Sequence, residues 1–190
     1  TSYILERVKM LLLVFLFSFL VTFFIFPNII PRLKKAGITG KNMNSEKHEE
    51  IPEMGGLVMV AGFSGGLIFI IFLKIFYKLL PEVYLIALLA CLSTVLIVAL
   101  IGIFDDLISM TQIVKAFMPI FAALPLMAIE ITDSVMRVPF LGLVNFGIFY
   151  PLLLVPLGVT GATNAFNMLA GFNGLEVGLG IVCMITVSII

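Results

Sequence analysis

The chain has 190 residues, of which 62% are hydrophobic and 12% are charged, with 11 basic and 11 acidic side chains. Soluble domains carry about a quarter charged residues, so this composition, with a mean hydropathy of +1.24, excludes a soluble globular domain. A zero net charge gives no reason to expect a nucleic acid as partner, because duplex binding relies on clustered Lys and Arg. Cys91 and Cys183 both lie in apolar runs, which predicts small core side chains and not a disulfide or zinc site.

A helix needs about 20 apolar residues to cross a bilayer core of about 30 Å. In chain order, such segments cover residues 8–30, 54–80, 83–104, 113–131 and 146–164, and a sixth begins near residue 174. Pro151 and Pro156 are expected to bend the fifth segment. The sequence therefore predicts an all-α, polytopic integral-membrane helical bundle with five spans and a truncated sixth. Because the chain begins with Thr1 and is still apolar at Ile190, we expect it to be part of a longer protein.

Each crossing changes sides, so the loops 31–56, 105–112 and 163–176 should share one face of a single membrane domain, residues 1–190. The loop 132–145 should lie on the opposite, extracytoplasmic face, where its sequence is compatible with a small hairpin. One loop on the first face holds five of the chain's basic residues: Arg32, Lys34, Lys35, Lys41 and Lys47. The positive-inside tendency therefore predicts that this face is cytoplasmic.

Two adjacent carboxylates, Asp105 and Asp106, lie at the predicted cytoplasmic end of the third span. Charges near hydrocarbon are costly and usually functional. Neighbouring helical residues point about 100° apart, so we expect one carboxylate to face a metal while the other holds a lysine, for which Lys115 is the nearest candidate. The alternatives are that the aspartates only end the span in water and that Lys115 is an interfacial anchor.

Asn164 and Asn167 are three residues apart and share a helical face. Their amide oxygens suit a hard cation such as Mg²⁺, but a pair that hydrogen-bonds between helices explains them equally well. Glu176 begins the sixth span, where complementing the helix dipole is the simpler interpretation. Glu53 lies at the edge of the second span and could accept hydrogen bonds from a sugar or a base. Together these groups favour phosphoryl transfer beside a bilayer.

Three segments carry a resemblance: I-P-E-M-G-G at 51–56, G-I-F-D-D at 102–106 with its downstream lysine, and N-A-F-N-M-L-A-G-F-N-G-L-E at 164–176. In this order and on one face, they resemble the polyprenyl-phosphate N-acetylhexosamine-1-phosphate transferases. The third segment is more similar to the dolichyl-phosphate N-acetylglucosamine phosphotransferases of eukaryotes and archaea. Bacterial relatives usually have an Asp where Ala170 stands.

The resemblance implies transfer of N-acetylglucosamine-1-phosphate from UDP-N-acetylglucosamine to dolichyl or polyprenyl phosphate, with release of UMP, as the first step of lipid-linked oligosaccharide synthesis. It implies Mg²⁺, or Mn²⁺ in its place, with Asn167 as a ligand. Asp105, Asp106 and Lys115 would be the catalytic residues, and Lys115 would also hold the acceptor phosphate. The further substrate-binding residues would be Lys41, Asn42, Met43, Glu53, Asn164, Gly171 and Asn173. The family usually has an Asp in place of Asn42.

The family is about twice as long as this chain, so we expect these residues alone to be inactive. The resemblance implies an active site on the cytoplasmic face of the endoplasmic reticulum membrane or of an archaeal plasma membrane, and it leaves a homodimer open. One alternative is an intramembrane prenyltransferase, whose carboxylates converge through D-x-x-x-D type spacing that the segment after Asp105 lacks. The other is a non-enzymatic transport or assembly module, in which polar residues would face a path through mid-membrane.

Overall fold

The computed structural model describes residues 2–41, 50–81, 83–108, 110–129, 134–169 and 174–189. Within these residues, four helices are long and apolar enough to cross a membrane: Glu6–Lys35, Gly56–Tyr77, Leu85–Ile108 and Tyr150–Leu169. Two shorter apolar helical segments cover Gln112–Met127 and Leu175–Val187. The prediction of a polytopic membrane helical bundle is confirmed, and the chain is an integral membrane protein.

Helix α1 (Ser2–Lys35) packs against helix α2 (Gly56–Tyr77) through small residues. The Ser18 hydroxyl donates a hydrogen bond of 2.7 Å to the Gly62 carbonyl oxygen. A Cβ at Gly62 would overlap the Thr22 hydroxyl and lie 3.2 Å from the Ser18 carbonyl oxygen. Small side chains let membrane helices approach closely. Van der Waals packing then stabilises the helix pair, because the hydrophobic effect does not drive helices together within lipid.

Helix α1 continues through Pro31 into the predicted loop 31–56, with basic residues in its last turn that suit the negative end of a helix. Beyond it, strands β1 (Thr39–Lys41) and β2 (Glu50–Pro52) pair antiparallel, with Gly40 opposite Ile51. The sequence did not predict this pair. The strand pair fixes the entry to α2, because only three residues, Glu53, Met54 and Gly55, separate β2 from that helix.

Helix α3 (Leu85–Ile108) matches the third predicted span, and it extends past the aspartates into the predicted loop 105–112. The fourth predicted span, 113–131, is not one continuous helix. It is divided into α4 (Gln112–Phe117), α5 (Pro119–Ala122) and α6 (Leu124–Met127). Pro119 and Pro125 lack the backbone N–H that a continuous helix needs, which explains both interruptions.

The fifth predicted span begins with a π-helix at Tyr150–Leu154 and continues as α7 (Val155–Leu169). The prolines expected to bend this segment, Pro151 and Pro156, lie in and just after the π-helix. Helix α8 (Leu175–Ile189) lies where the sixth span was predicted, and its described apolar part is shorter than the four long helices. Strands β3 (Val135–Val138) and β4 (Gly142–Asn145) form an antiparallel hairpin, which confirms the hairpin in the loop 132–145. The side of the membrane on which it lies stays a prediction.

Candidate active site

The last turn of α3 carries Asp105 and Asp106, and the two carboxylates line different cavities. Gly102, one turn earlier, lines both cavities. The cavities therefore lie on two sides of the same helix end. This arrangement follows from the angle of about 100° between neighbouring helical residues.

The first cavity, which we call the lysine cavity, has a volume of about 140 Å³. Its polar lining residues are Asp105, Lys115, Thr163, Asn164 and Asn167. The Lys115 ammonium lies 2.8 Å from Asp105 Oδ1, and the backbone N–H of Met110 donates to the same oxygen at 3.3 Å. The prediction that one aspartate holds Lys115 is confirmed, and the interpretation of Asp105 as a carboxylate that only ends the span in water is wrong.

Asn164 has a structural contact of its own. Its side-chain N–H donates a hydrogen bond of 3.0 Å to the Ala116 carbonyl oxygen, 48 positions earlier in the chain. This bond joins α7 to α4 at the residue that follows Lys115. The interpretation of an asparagine that bonds between helices therefore applies to Asn164. Asn167, about one turn further along α7, lines the lysine cavity.

The second cavity, which we call the acidic cavity, has a volume of about 590 Å³. Three carboxylates line it: Glu53 before α2, Asp106 on α3 and Glu176 in the first turn of α8. Glu53 is close enough to Asp106 for the two carboxylates to repel each other. Within the described part of the chain, no three acidic, histidine or cysteine side chains converge closely enough to hold a metal ion. The carboxylates surround this cavity and do not form a compact cluster.

Sequence reasoning undervalued Glu176. Its place at a helix start suggested only a favourable interaction with the helix dipole, yet the structure places it on the wall shared with Glu53 and Asp106. The available signal was its position at the end of the segment 164–176, which carries the asparagines.

Several predicted site residues cannot be placed. Asn42, Met43, Gly171 and Asn173 lie outside the described residues, and Lys41 is described only as part of β1. Their assignments stay predictions. Among the described residues beside these segments in the chain, Glu53 lines the acidic cavity and Asn167 lines the lysine cavity.

The geometry also bears on the alternative functions. A prenyltransferase needs several carboxylates that converge on metal ions, and none converge in this way among the described residues. A transport module predicts polar groups along a path through the bundle, whereas Asp105, Asp106 and Asn167 lie near the ends of their helices. The position of these three residues favours a site at one end of the helices over a path through the bundle.

Comparison with known proteins agrees with this geometry. The model of glycosyl transferase family 4 matches residues 86–190. A protein of Saccharolobus solfataricus with the provisional name UDP-N-acetylglucosamine–dolichyl-phosphate N-acetylglucosaminephosphotransferase is 37% identical over 179 residues, covering 94% of this chain and 53% of that protein. A Schizosaccharomyces pombe protein of the same name, without that reservation, is 31% identical over 196 residues, covering 85% of this chain and 43% of that protein.

A more distant relative extends the comparison to bacteria. A Bacillus subtilis protein with the provisional name undecaprenyl-phosphate N-acetylglucosaminyl 1-phosphate transferase is 27% identical over 189 residues, covering 97% of this chain and 49% of that protein. The chain thus spans about half the length of the curated relatives it matches. Because the family model covers the part of the chain that contains both aspartates, Lys115 and the asparagines, the chain belongs to glycosyl transferase family 4.

Proposed function

We propose that this protein transfers N-acetylglucosamine-1-phosphate from UDP-N-acetylglucosamine to dolichyl phosphate, or to a related polyprenyl phosphate, and releases UMP. The observation that carries the proposal is the Asp105–Lys115 pair, which places an oriented ammonium in a cavity at the end of apolar helices. The names of the relatives in Saccharolobus solfataricus and Schizosaccharomyces pombe support this choice of substrates.

The lysine cavity suits the acceptor phosphate. An ammonium is a compact point charge that binds phosphate oxygens well. Asp105 fixes the direction of that ammonium at 2.8 Å, and Asn164 anchors the helix that carries it. The residues of α3 before Asp105 are largely apolar. The phosphate of a lipid would therefore reach Lys115 while the hydrocarbon chain of that lipid stays in the bilayer.

The acidic cavity suits the sugar of the donor substrate. Gly102 lines both cavities, so the donor diphosphate would meet the acceptor phosphate at this end of α3. Carboxylates accept hydrogen bonds from sugar hydroxyls, and Glu53 can do so from the wall of a cavity of about 590 Å³. From the family resemblance, we include five further residues that bind this substrate: Lys41, Asn42, Met43, Gly171 and Asn173.

A magnesium ion fits the donor chemistry of this site. Mg²⁺ takes few protein ligands and completes its octahedron with water and substrate phosphates. The amide oxygen of Asn167, with the carboxylate of Asp105 in the same cavity, is therefore an adequate protein contribution. Bound there, the ion would neutralise phosphate charge during transfer. We include Asn167 as its ligand in the proposal, and Mn²⁺ as a substitute of similar ligand preference.

The transfer itself needs no general base. At neutral pH the lipid phosphate is already largely ionised, and one of its oxygens attacks the phosphorus that carries the sugar. The bond from that phosphorus to the bridging oxygen breaks, and UMP leaves with the oxygen and the electron pair. Lys115 holds the attacking group, and positioning with charge neutralisation supplies most of the catalysis.

We place the reaction on the cytoplasmic face of the membrane. With five basic residues in the loop 31–56, the positive-inside tendency supports a cytoplasmic site. Homodimer formation stays a prediction.

The test uses the protein expressed from its complete coding sequence, in lipid nanodiscs with UDP-N-acetylglucosamine, dolichyl phosphate and Mg²⁺. Asn167→Ala and Asp106→Ala should each lower kcat/KM for UMP release by about 100-fold while the protein still inserts and folds. Asn28→Ala is the matched control, because the Asn28 side chain donates a hydrogen bond within α1, to the Phe24 carbonyl oxygen at 2.9 Å, and Asn28 lines neither cavity. Normal turnover by both variants would contradict the assignment of Asn167 as a metal ligand and of Asp106 as a catalytic residue. No UMP release by the unmodified protein would exclude the proposed function.

A further inference from the structure

Gly40 lies directly against the side chain of Glu53. It occupies the middle of β1, opposite Ile51 on β2. A Cβ built on Gly40 would overlap Glu53 Oε1, and it would lie 2.8 Å from the carboxylate carbon and 3.1 Å from Cγ. The carboxylate of Glu53 therefore occupies the space that any other residue at position 40 would fill.

The backbone around Glu53 leaves little freedom. Its N–H donates to the Ile38 carbonyl oxygen at 3.1 Å, which extends the β1–β2 pairing by one further bond. Met54, the next residue, has a φ of +61°, a conformation that L residues other than Asn and Asp rarely adopt. Since strand pairing and this turn hold the main chain, the side chain is the part of Glu53 that can move.

The carboxylate of Glu53 lines the acidic cavity, and Asp106 repels it from the α3 side. The missing Cβ of Gly40 leaves the space in which this carboxylate lies. A methyl group at position 40 would force the carboxylate to swing out of that space. It would not unfold the strand pair, because Gly40 does not have a positive φ and alanine is no worse than glycine in a strand.

We propose that Gly40 is a positioning residue for the nucleotide sugar: its lack of a side chain sets where the Glu53 carboxylate lies in the acidic cavity. The inference rests on the proposed function, and it adds a residue that acts on the donor substrate through Glu53. Lys115 lines the lysine cavity and Glu53 does not, so binding of the acceptor phosphate should not be affected.

The experiment measures KM for both substrates in Gly40→Ala, Glu53→Ala and the double variant, made in the complete protein. Because the sugar would lose a hydrogen bond to a charged group, Gly40→Ala should raise KM for UDP-N-acetylglucosamine at least about tenfold. KM for dolichyl phosphate and the unfolding temperature should stay within error. In the Glu53→Ala background, Gly40→Ala should have no further effect, because the group that it displaces is gone.

Gly55→Ala is the matched control, since a Cβ there meets no described atom within 4 Å. An unchanged donor KM in Gly40→Ala, or an equal effect of Gly40→Ala in both backgrounds, would overturn the inference. The proposed function would still stand if the unmodified protein released UMP. A lower unfolding temperature with both KM values raised would also overturn it, because glycine would then serve the fold alone. Absence of transfer by the unmodified protein would remove the proposed function, and this inference with it.

Discussion

Replacing Lys115 by Met and Asp105 by Asn, singly and together, measures how strongly their ion pair joins α3 to α4. Asn at position 105 keeps an oxygen for the N–H of Met110, so the change removes charge and little else. The side chains are 26% and 20% exposed and 2.8 Å apart. In burial, the pair therefore lies between two classes of ion pair. Exposed pairs have coupling free energies of about 0.2 to 1 kcal/mol, and in buried pairs the removal of one partner costs about 3 to 5 kcal/mol. We expect a coupling free energy of about 1 to 2 kcal/mol.

The assay is equilibrium unfolding of the complete protein in mixed micelles, at low and at high salt. The coupling should largely persist at high salt, because partly buried charges are screened less than exposed ones. In UMP release, each single variant should be about as impaired as the double variant, since the pair acts as one unit. A coupling below about 0.3 kcal/mol, the usual error of additivity, would refute the ion pair. Normal activity of Lys115→Met would refute the contact with the acceptor phosphate.

Two further substitutions test the packing that supports the site. Gly62→Ala should lower the free energy of unfolding by about 1 to 3 kcal/mol, because the added Cβ would lie 3.2 Å from the Ser18 carbonyl oxygen. A Cβ added at Gly65 would lie 3.7 Å from its nearest neighbour, a ring carbon of Phe17. Gly65→Ala should therefore be close to neutral in the same unfolding measurement. Asn164→Ala should cost about 0.6 to 1.5 kcal/mol and reduce UMP release, because the Ala116 carbonyl loses its donor. Full activity of Asn164→Ala would show that this bond does not position Lys115.

Much of the fold could be predicted because membrane helices leave a simple signal. Apolar runs of about 20 residues are long enough to cross a bilayer, and they located α1, α2, α3 and α7. The fourth span was predicted as one helix because hydropathy does not register the missing N–H groups of Pro119 and Pro125. Strands β1 and β2 have three residues each, which is too short for a period-2 pattern to be recognised.

The sequence by itself determined that this is a polytopic membrane protein with two adjacent carboxylates, a lysine and an asparagine pair on one face. It also determined that Asp105 and Asp106 must diverge, since helical geometry separates neighbours by about 100°. Only the tertiary structure decided which of them holds Lys115, because that depends on how α4 packs beside α3. It likewise decided that Glu53 and Glu176 share a wall with Asp106, and that Gly40 leaves room for Glu53. These contacts join residues on different helices and strands. The packing of those elements brings the residues together, and no local sequence pattern encodes it.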